Sequence, residues 1–269
     1  MPHPLDATLR AARPAFAAAV LLGVFFISPA MGQTRAEAGA AIIARAVQGI
    51  GGADVLDRIG TISVEGEATR LTPQGMIKTP TRSFVEFPAS YRQEIELNGA
   101  VVAMASSTDG AYLIAGKSVQ ALSEAQRQNI EVTALRTPLV LLKTRSNRNF
   151  SADADGSGKI GDYEVDFAQV YVGNENMRIA VDKATGRIVQ EEFDTRGGAP
   201  ERSGRMVVTF SDFRKLSNGL TVAHASSGTF EGDVVFTNHI AKIKFNEVFP
   251  EGTFGAVTDA VSGKRPVAR

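Results

Sequence analysis

No cysteine and no tryptophan occur in this chain of 269 residues. Without cysteine there is no disulfide, thiol nucleophile, thiolate metal site or iron–sulfur cluster. Imidazole is scarce: beyond the N-terminal segment only His224 and His239 could serve as a base or a metal ligand. Neither sign of charge is in excess, with 29 basic and 29 acidic residues. That balance, without a basic run, argues against nucleic acid and against an anionic membrane surface as partners. Nor is any apolar run long enough to span a bilayer, which takes about 20 residues.

The longest apolar run, Ala15 to Ile27, follows Arg10 and Arg13 and precedes a small-x-small site, Ala30-Met31-Gly32. This order reads as a secretory signal peptide cut near Gly32, and it predicts export. An uncleaved N-terminal anchor is the alternative. Gln33, not cysteine, comes next, so a lipid-anchored N-terminus is not expected. The remainder is long enough for one large all-β domain or two small ones. An exported fold without disulfides must be held by its core alone.

Ala36 to Val47 has helical spacing, with Ile42, Ile43, Ala46 and Val47 on the buried side, and Gly49, Gly51 and Gly52 end it. One further helical piece is predicted over 53–58. The period then changes to two. Ile62, Val64 and Ala68 alternate with polar residues, and Tyr91, Gln93, Ile95 and Leu97 oppose Arg92, Glu94 and Glu96. Asn98-Gly99, Asp109-Gly110 and Asn218-Gly219 are hairpin signals, because both residues of each pair tolerate positive φ. From Ile160 onward strands recur, with Tyr163, Val165 and Phe167, then Met177, Ile179 and Val181, at alternate positions.

The middle differs. Ser123 with Gln126 forms a capping box for a polar helix over 123–136. Thr137-Pro138 restarts helix, with proline at the first helical position. Leu139, Val140, Leu141 and Leu142 make that second piece apolar. The reading is a short helical start, about ten antiparallel strands and one central helical insertion. A sheet with one apolar face must cover it or close on itself, and helices plugging a curved sheet do this.

Several strings in this order resemble a known family. They include Gly49-Ile50-Gly51-Gly52 running into Ile62-Ser63-Val64-Glu65-Gly66, Phe87-Pro88-Ala89-Ser90-Tyr91-Arg92, and Ser107-Thr108-Asp109-Gly110. Thr137-Pro138-Leu139, Val181-Asp182-Lys183-Ala184-Thr185-Gly186, Phe210-Ser211-Asp212-Phe213 and Ile243-Lys244-Phe245-Asn246 follow. Over roughly residues 36–249 the chain is similar to the LolA/LolB-type superfamily of outer-membrane lipoprotein-sorting proteins, as a diverged member. The resemblance implies an α+β fold, mainly β: a half-open antiparallel β-barrel with a helical lid and an N-terminal helix. The expected organisation is a signal peptide over 1–32, the half-barrel over 33–252 and a tail over 253–269. In the carrier proper an arginine just before the Pro-x-x-aromatic turn ties lid to barrel. Here Phe87 takes that place.

The remaining motifs are weighed on their chemistry. Residues 153–164 fit the spacing of a calcium loop, with Asp153, Asp155, Ser157 and Glu164 as candidate ligands. A solvated turn is the other reading, since Glu164 already sits in an alternating strand pattern. Gly156-Ser157-Gly158-Lys159 is not a phosphate loop, because Asp153 and Ile160 replace the required glycine and hydroxyl residue. His224 and His239 have no metal spacing, and no serine lies in a nucleophile elbow.

The expected function is that of a periplasmic carrier or binding protein for lipid or lipoprotein acyl chains, without catalysis or cofactor, and monomeric. Leu135, Leu139 and Leu142 would form the lid wall. Ile95, Leu97, Tyr163, Val165, Phe167, Ile179 and Val181 would form the sheet wall. A packed barrel that binds another envelope protein is the alternative, because lid residues that line a cavity and lid residues that fill a core have the same sequence.

Overall fold

A computed structural model describes residues 33–97, 99–195 and 203–255. The expected signal segment, most of the loop from Arg196 to Gly204, and the tail from residue 256 lie outside the described residues. Helix α1 (Arg35–Ile50) starts at a capping box in which Thr34 and Glu37 satisfy each other's backbone N–H. Its buried face carries Ile42, Ile43, Ala46, Val47 and Ile50. Gly51, at φ +133°, ends it, and the short α2 (Ala53–Asp57) follows.

Among the described residues thirteen strands form one antiparallel sheet. They are β1 (Thr61–Thr72), β2 (Gly75–Glu86), β3 (Ser90–Leu97), β4 (Ala100–Ser107), β5 (Gly110–Ala115), β6 (Ser118–Ala121), β7 (Phe150–Ile160), β8 (Tyr163–Val172), β9 (Glu175–Asp182), β10 (Ile188–Thr195), β11 (Gly204–Lys215), β12 (Thr221–Phe230) and β13 (Asp233–Phe245). The order is β6-β5-β4-β3-β2-β1-β13-β12-β11-β10-β9-β8-β7, so β1 pairs with β13 and the edges are β6 and β7. Between those edge strands the chain forms α3 (Glu124–Leu135), α4 (Pro138–Lys143) and a single 3-10 turn (Thr144–Ser146). The helical insertion therefore joins the two edges of an unclosed sheet, and this carries it across the open side of the half-barrel. Ser123 and Gln126 make the expected capping box, and Pro138 stands in the first turn of α4.

The strand count exceeds the expected ten. The clearest addition is β7, whose Ser-, Ala-, Asp- and Gly-rich sequence has little strand propensity. It is held from both sides. It pairs with β8, with a bulge between Ala154 and Ser157, and it lies under α1. Glycine permits that contact: a Cβ on Gly39 would stand 2.2 Å from the carbonyl oxygen of Ala152.

The main core joins α1, α2 and α4 to the concave face of the sheet. Leu56, Leu141, Leu142, Ile179, Val181 and Leu220 are among its most completely buried members. Each such side chain contributes about 1.5–3 kcal/mol relative to exposure. Smaller clusters lie elsewhere, one of Val165, Ala180 and Val189 and one of Ala103, Ala105 and Ile114. On β3 the buried Glu94 and Arg92 pair at 2.9 Å, and the half-exposed Arg82 of β2 joins Glu94 at 2.7 Å. Arg92 also donates to the carbonyl oxygen of Thr253 at 3.0 Å, and Phe84, Phe249 and Phe254 stack edge to face. Thr253 and Phe254 are buried, so the packed body runs past residue 252.

Candidate functional site

Alternation along the strands turns one face of the sheet toward the lid, and the two do not meet everywhere. A cavity of about 460 Å³ lies between them. Packed interiors contain few voids larger than a water molecule, so this is unfilled space and not ordinary core. From the lid come Pro138, Leu139, Val140 and Leu142, and from α1 Ala46 and Ile50. Ile62, Val64, Phe193, Met206, Val208, Phe210, Phe213, Phe236 and Ile243 make most of the sheet wall apolar. Polar groups occur among them: Arg70, Ser83, Tyr91, Gln93, Arg136, Arg187, His224, Asn238 and His239. Burial pushes the Tyr91 phenol up, against a hydrogen bond from Ser83 and the charge of Arg70.

The lid is tied at both ends of α4. Lys143 Nζ donates to the carbonyl oxygens of Leu56 and Asp57, at 3.1 and 2.7 Å. Arg145 forks onto the Asp57 carboxylate at 2.8 Å to each oxygen. Burial lowers the Lys143 pKa, partly offset by Asp57. Its ammonium also stands 5.4 Å over the Phe87 ring. Position 87 is thus a lid contact, with the cation on the lid and an aromatic ring on the barrel. Before α4, Arg136 rests 3.8 Å over the ring of Phe193, which is on β10.

The residues expected to line a site divide into groups. Leu139 and Leu142 line the cavity. Leu135 is half-buried against the main core without lining it. Ile95 and Leu97 share the face of Tyr91 and Gln93, but they lie further along β3, and Leu97 is 41% exposed. Ile179 and Val181 are fully buried in the main core with the α1 residues. Tyr163, Val165 and Phe167 point the other way. Cross-strand partners share a face, and Val165 opposes Asp182 while Ala168 opposes Ile179. The concave residues of β8 are therefore Ala168 and Val170. Both parities of β8 carry apolar runs, and this made the wrong one look inward. The walls from β10, β11 and β13 were not anticipated, although Met206, Val208 and Phe210 alternate in the sequence.

The calcium reading does not survive. Residues 153–160 belong to β7 and 163–164 to β8. Asp153 lies opposite Gln169 and Glu164 opposite Lys159. Five residues of strand, about 17 Å, separate those points, far beyond a shared coordination sphere. Asp155 pairs with Arg178 at 2.7 Å, and Ser157 donates to Asp166 at 2.6 Å. Among the described residues no three His, Asp or Glu side chains are grouped as a metal would need. His224 Nδ1 lies 3.2 Å from the carbonyl oxygen of Val222, and the Asp212 carboxylate is taken by a fork from Arg214.

A curled, unclosed sheet with a helical lid over an apolar cavity defines the class. No protein-family model matches this sequence, and no curated protein matches it by sequence. Solved structures do match in fold. A Vibrio parahaemolyticus domain described as an outer membrane lipoprotein-sorting protein superposes with a TM-score of 0.57 at 15% identity, covering 81% of this chain and 97% of its own. A DUF1329 family protein from Desulfovibrio piger gives 0.56 at 9% identity, covering 80% and 96%. A LolA superfamily protein from Nitrosomonas europaea gives 0.53 at 10% identity, covering 80% and 97%. The chain has the open β-barrel-like fold of these LolA-type structures, with more than ten strands.

Proposed function

We propose that this chain is an exported, periplasmic carrier or binding protein for the acyl chains of lipids or lipoproteins, acting as a monomer without catalysis or cofactor. The observation that carries this reading is the 460 Å³ apolar cavity beneath the lid. A packed scaffold would have filled it. An acyl chain burying roughly 200 Å² there gains about 5 kcal/mol from dehydration alone. The fold shared with lipoprotein-sorting domains supports the same class of ligand.

The test is native mass spectrometry and organic extraction of protein purified from a Gram-negative periplasm. Lipid at near one-to-one is expected, and Leu139→Asp should abolish it. Leu139→Trp, which narrows the cavity without adding charge, should weaken lipid binding while keeping the fold. A lipid-free protein that also takes up no fluorescent fatty acid would refute the proposal.

A transfer partner in the envelope is favoured by one specific feature. Exposed apolar side chains gather at the hairpin turns of one end of the sheet: Leu71 and Met76 on β1–β2, Leu97 and Val101 on β3–β4, and Val234 on β13. Charged substitutions there should impair delivery and leave binding intact.

A further inference from the structure

The arginines of this protein are mostly spoken for. Nine of those described, Arg35, Arg45, Arg82, Arg92, Arg127, Arg145, Arg178, Arg205 and Arg214, form ion pairs with carboxylates. The three that line the cavity, Arg70, Arg136 and Arg187, form none. Two of them are partly buried. Arg136 and Arg187 lie over the rings of Phe193 and Phe213, at 3.8 and 5.1 Å. Burial lowers the Arg136 pKa, so its charge is held there at an electrostatic disadvantage.

No carboxylate among the described residues forms an ion pair with these cations, although Arg136 feels the charge of Glu175 first and of Glu191 after it. Glu67, the acidic residue of the wall, pairs with Lys78 at 2.7 Å. Glu191 is fully buried, and burial pushes its carboxyl well above the usual carboxylate range, against the charge of Arg136. The wall thus combines an apolar surface with guanidinium donors that have no carboxylate at ion-pair distance. Guanidinium prefers planar, anionic oxygen pairs, which a carboxylate or a phosphate supplies.

From this geometry we infer that the cavity selects amphiphiles with an anionic head, a carboxylate or a phosphate, over neutral ones of the same chain length. The inference rests on the lipid-binding reading above and narrows it. The tail lies among Leu139, Leu142, Met206 and Phe210, and the head is held by Arg136 and Arg70. Neutral acyl esters fill the same apolar wall and leave both guanidiniums unpaired.

The test is competition against a neutral fluorescent probe, Nile red, in the intact mature protein. The competitors are oleate, oleoyl lysophosphatidate, methyl oleate and inorganic phosphate. A charged hydrogen bond in a partly buried site corresponds to a preference of about tenfold to a hundredfold. Oleate, lysophosphatidate or both should displace the probe at concentrations lower by that factor than methyl oleate, and the stronger of the two names the head. Phosphate alone should not displace it. Arg70→Gln with Arg136→Gln should erase the preference and leave methyl oleate unchanged, whereas Arg148→Gln, on the exposed surface, should not. Equal displacement by the anionic and neutral oleoyl compounds would overturn the inference and leave the cavity reading standing. Displacement by free phosphate as strong as by lysophosphatidate would overturn it too. No probe binding at all would remove the cavity reading and the inference together.

Discussion

Glu191 is the most exposed point of the reasoning to experiment, because its burial is complete and unrelieved. It sits on β10 opposite Ile179 and Val208, both members of the main core. It is 0% exposed, and neither carboxylate oxygen has a hydrogen-bond partner. Burial therefore raises its pKa well above the usual carboxylate value, and the charge of Arg136 offsets only part of this. In the unfolded chain the same carboxyl ionises near pH 4.3, as any glutamate does, to about that precision. Between that pH and the folded pKa the native state binds the extra proton. Stability from this group is then fully present below about pH 4.3 and is lost as pH rises, by up to about 1.4 kcal/mol per unit. The loss accumulates with each pH unit until the folded pKa is reached, and each such unit is a sizeable part of the roughly 5–15 kcal/mol of a typical domain. Glu191→Gln keeps the shape and removes the titration. Urea denaturation of both proteins at pH 5, 6, 7 and 8 isolates the group, because the remaining carboxylates, lysines and histidines cancel in the difference. As pH rises toward the folded pKa the variant should gain on the wild type, by at most about 1.4 kcal/mol per pH unit, with unchanged m-values. Parallel pH curves would refute the raised pKa of Glu191 and would add its charge to that of Glu175 near Arg136.

Other perturbations test the fold and the discarded motif. Glu94→Ala strands Arg92, 3% exposed, beside Ala105, and should cost about 3–5 kcal/mol, read as a lower urea midpoint. Gly39→Ala drives a methyl group into the Ala152 carbonyl and should destabilise by about 1–3 kcal/mol, with faster hydrogen exchange in α1 and β7. Millimolar calcium should leave the thermal midpoint unchanged, and Asp153→Ala should make no difference to that response. A calcium-dependent rise removed by Asp153→Ala would restore the loop that the strand register contradicts.

Local chemistry accounts for most of what was legible in the chain. The capping residue Ser123, the proline at 138 and the glycines from 49 to 52 place the helices, because each acts on backbone within a few residues of itself. Two-residue alternation marks most strands, and Asn218-Gly219 marks a turn, for the same reason. Failure begins where a neighbour from a distant part of the chain decides. β7 is a strand because α1 covers it and β8 pairs with it, although its own residues favour a loop. β8 has two apolar parities, and only its pairing with β9 chooses Ala168 and Val170 for the concave side. Glu191, read alone, passes for an ordinary polar residue of a strand. Its fate is set by Ile179 and Val208, which are brought to either side of it by strand pairing.

The sequence by itself determined a mainly β chain with a helical insertion and an apolar second lid helix, since propensity, capping and periodicity are properties of neighbouring residues. Only the tertiary structure decided that Leu139 and Leu142 face empty space while Leu141 faces solid core. Volume is what remains after elements remote in sequence have packed, and no residue carries it alone.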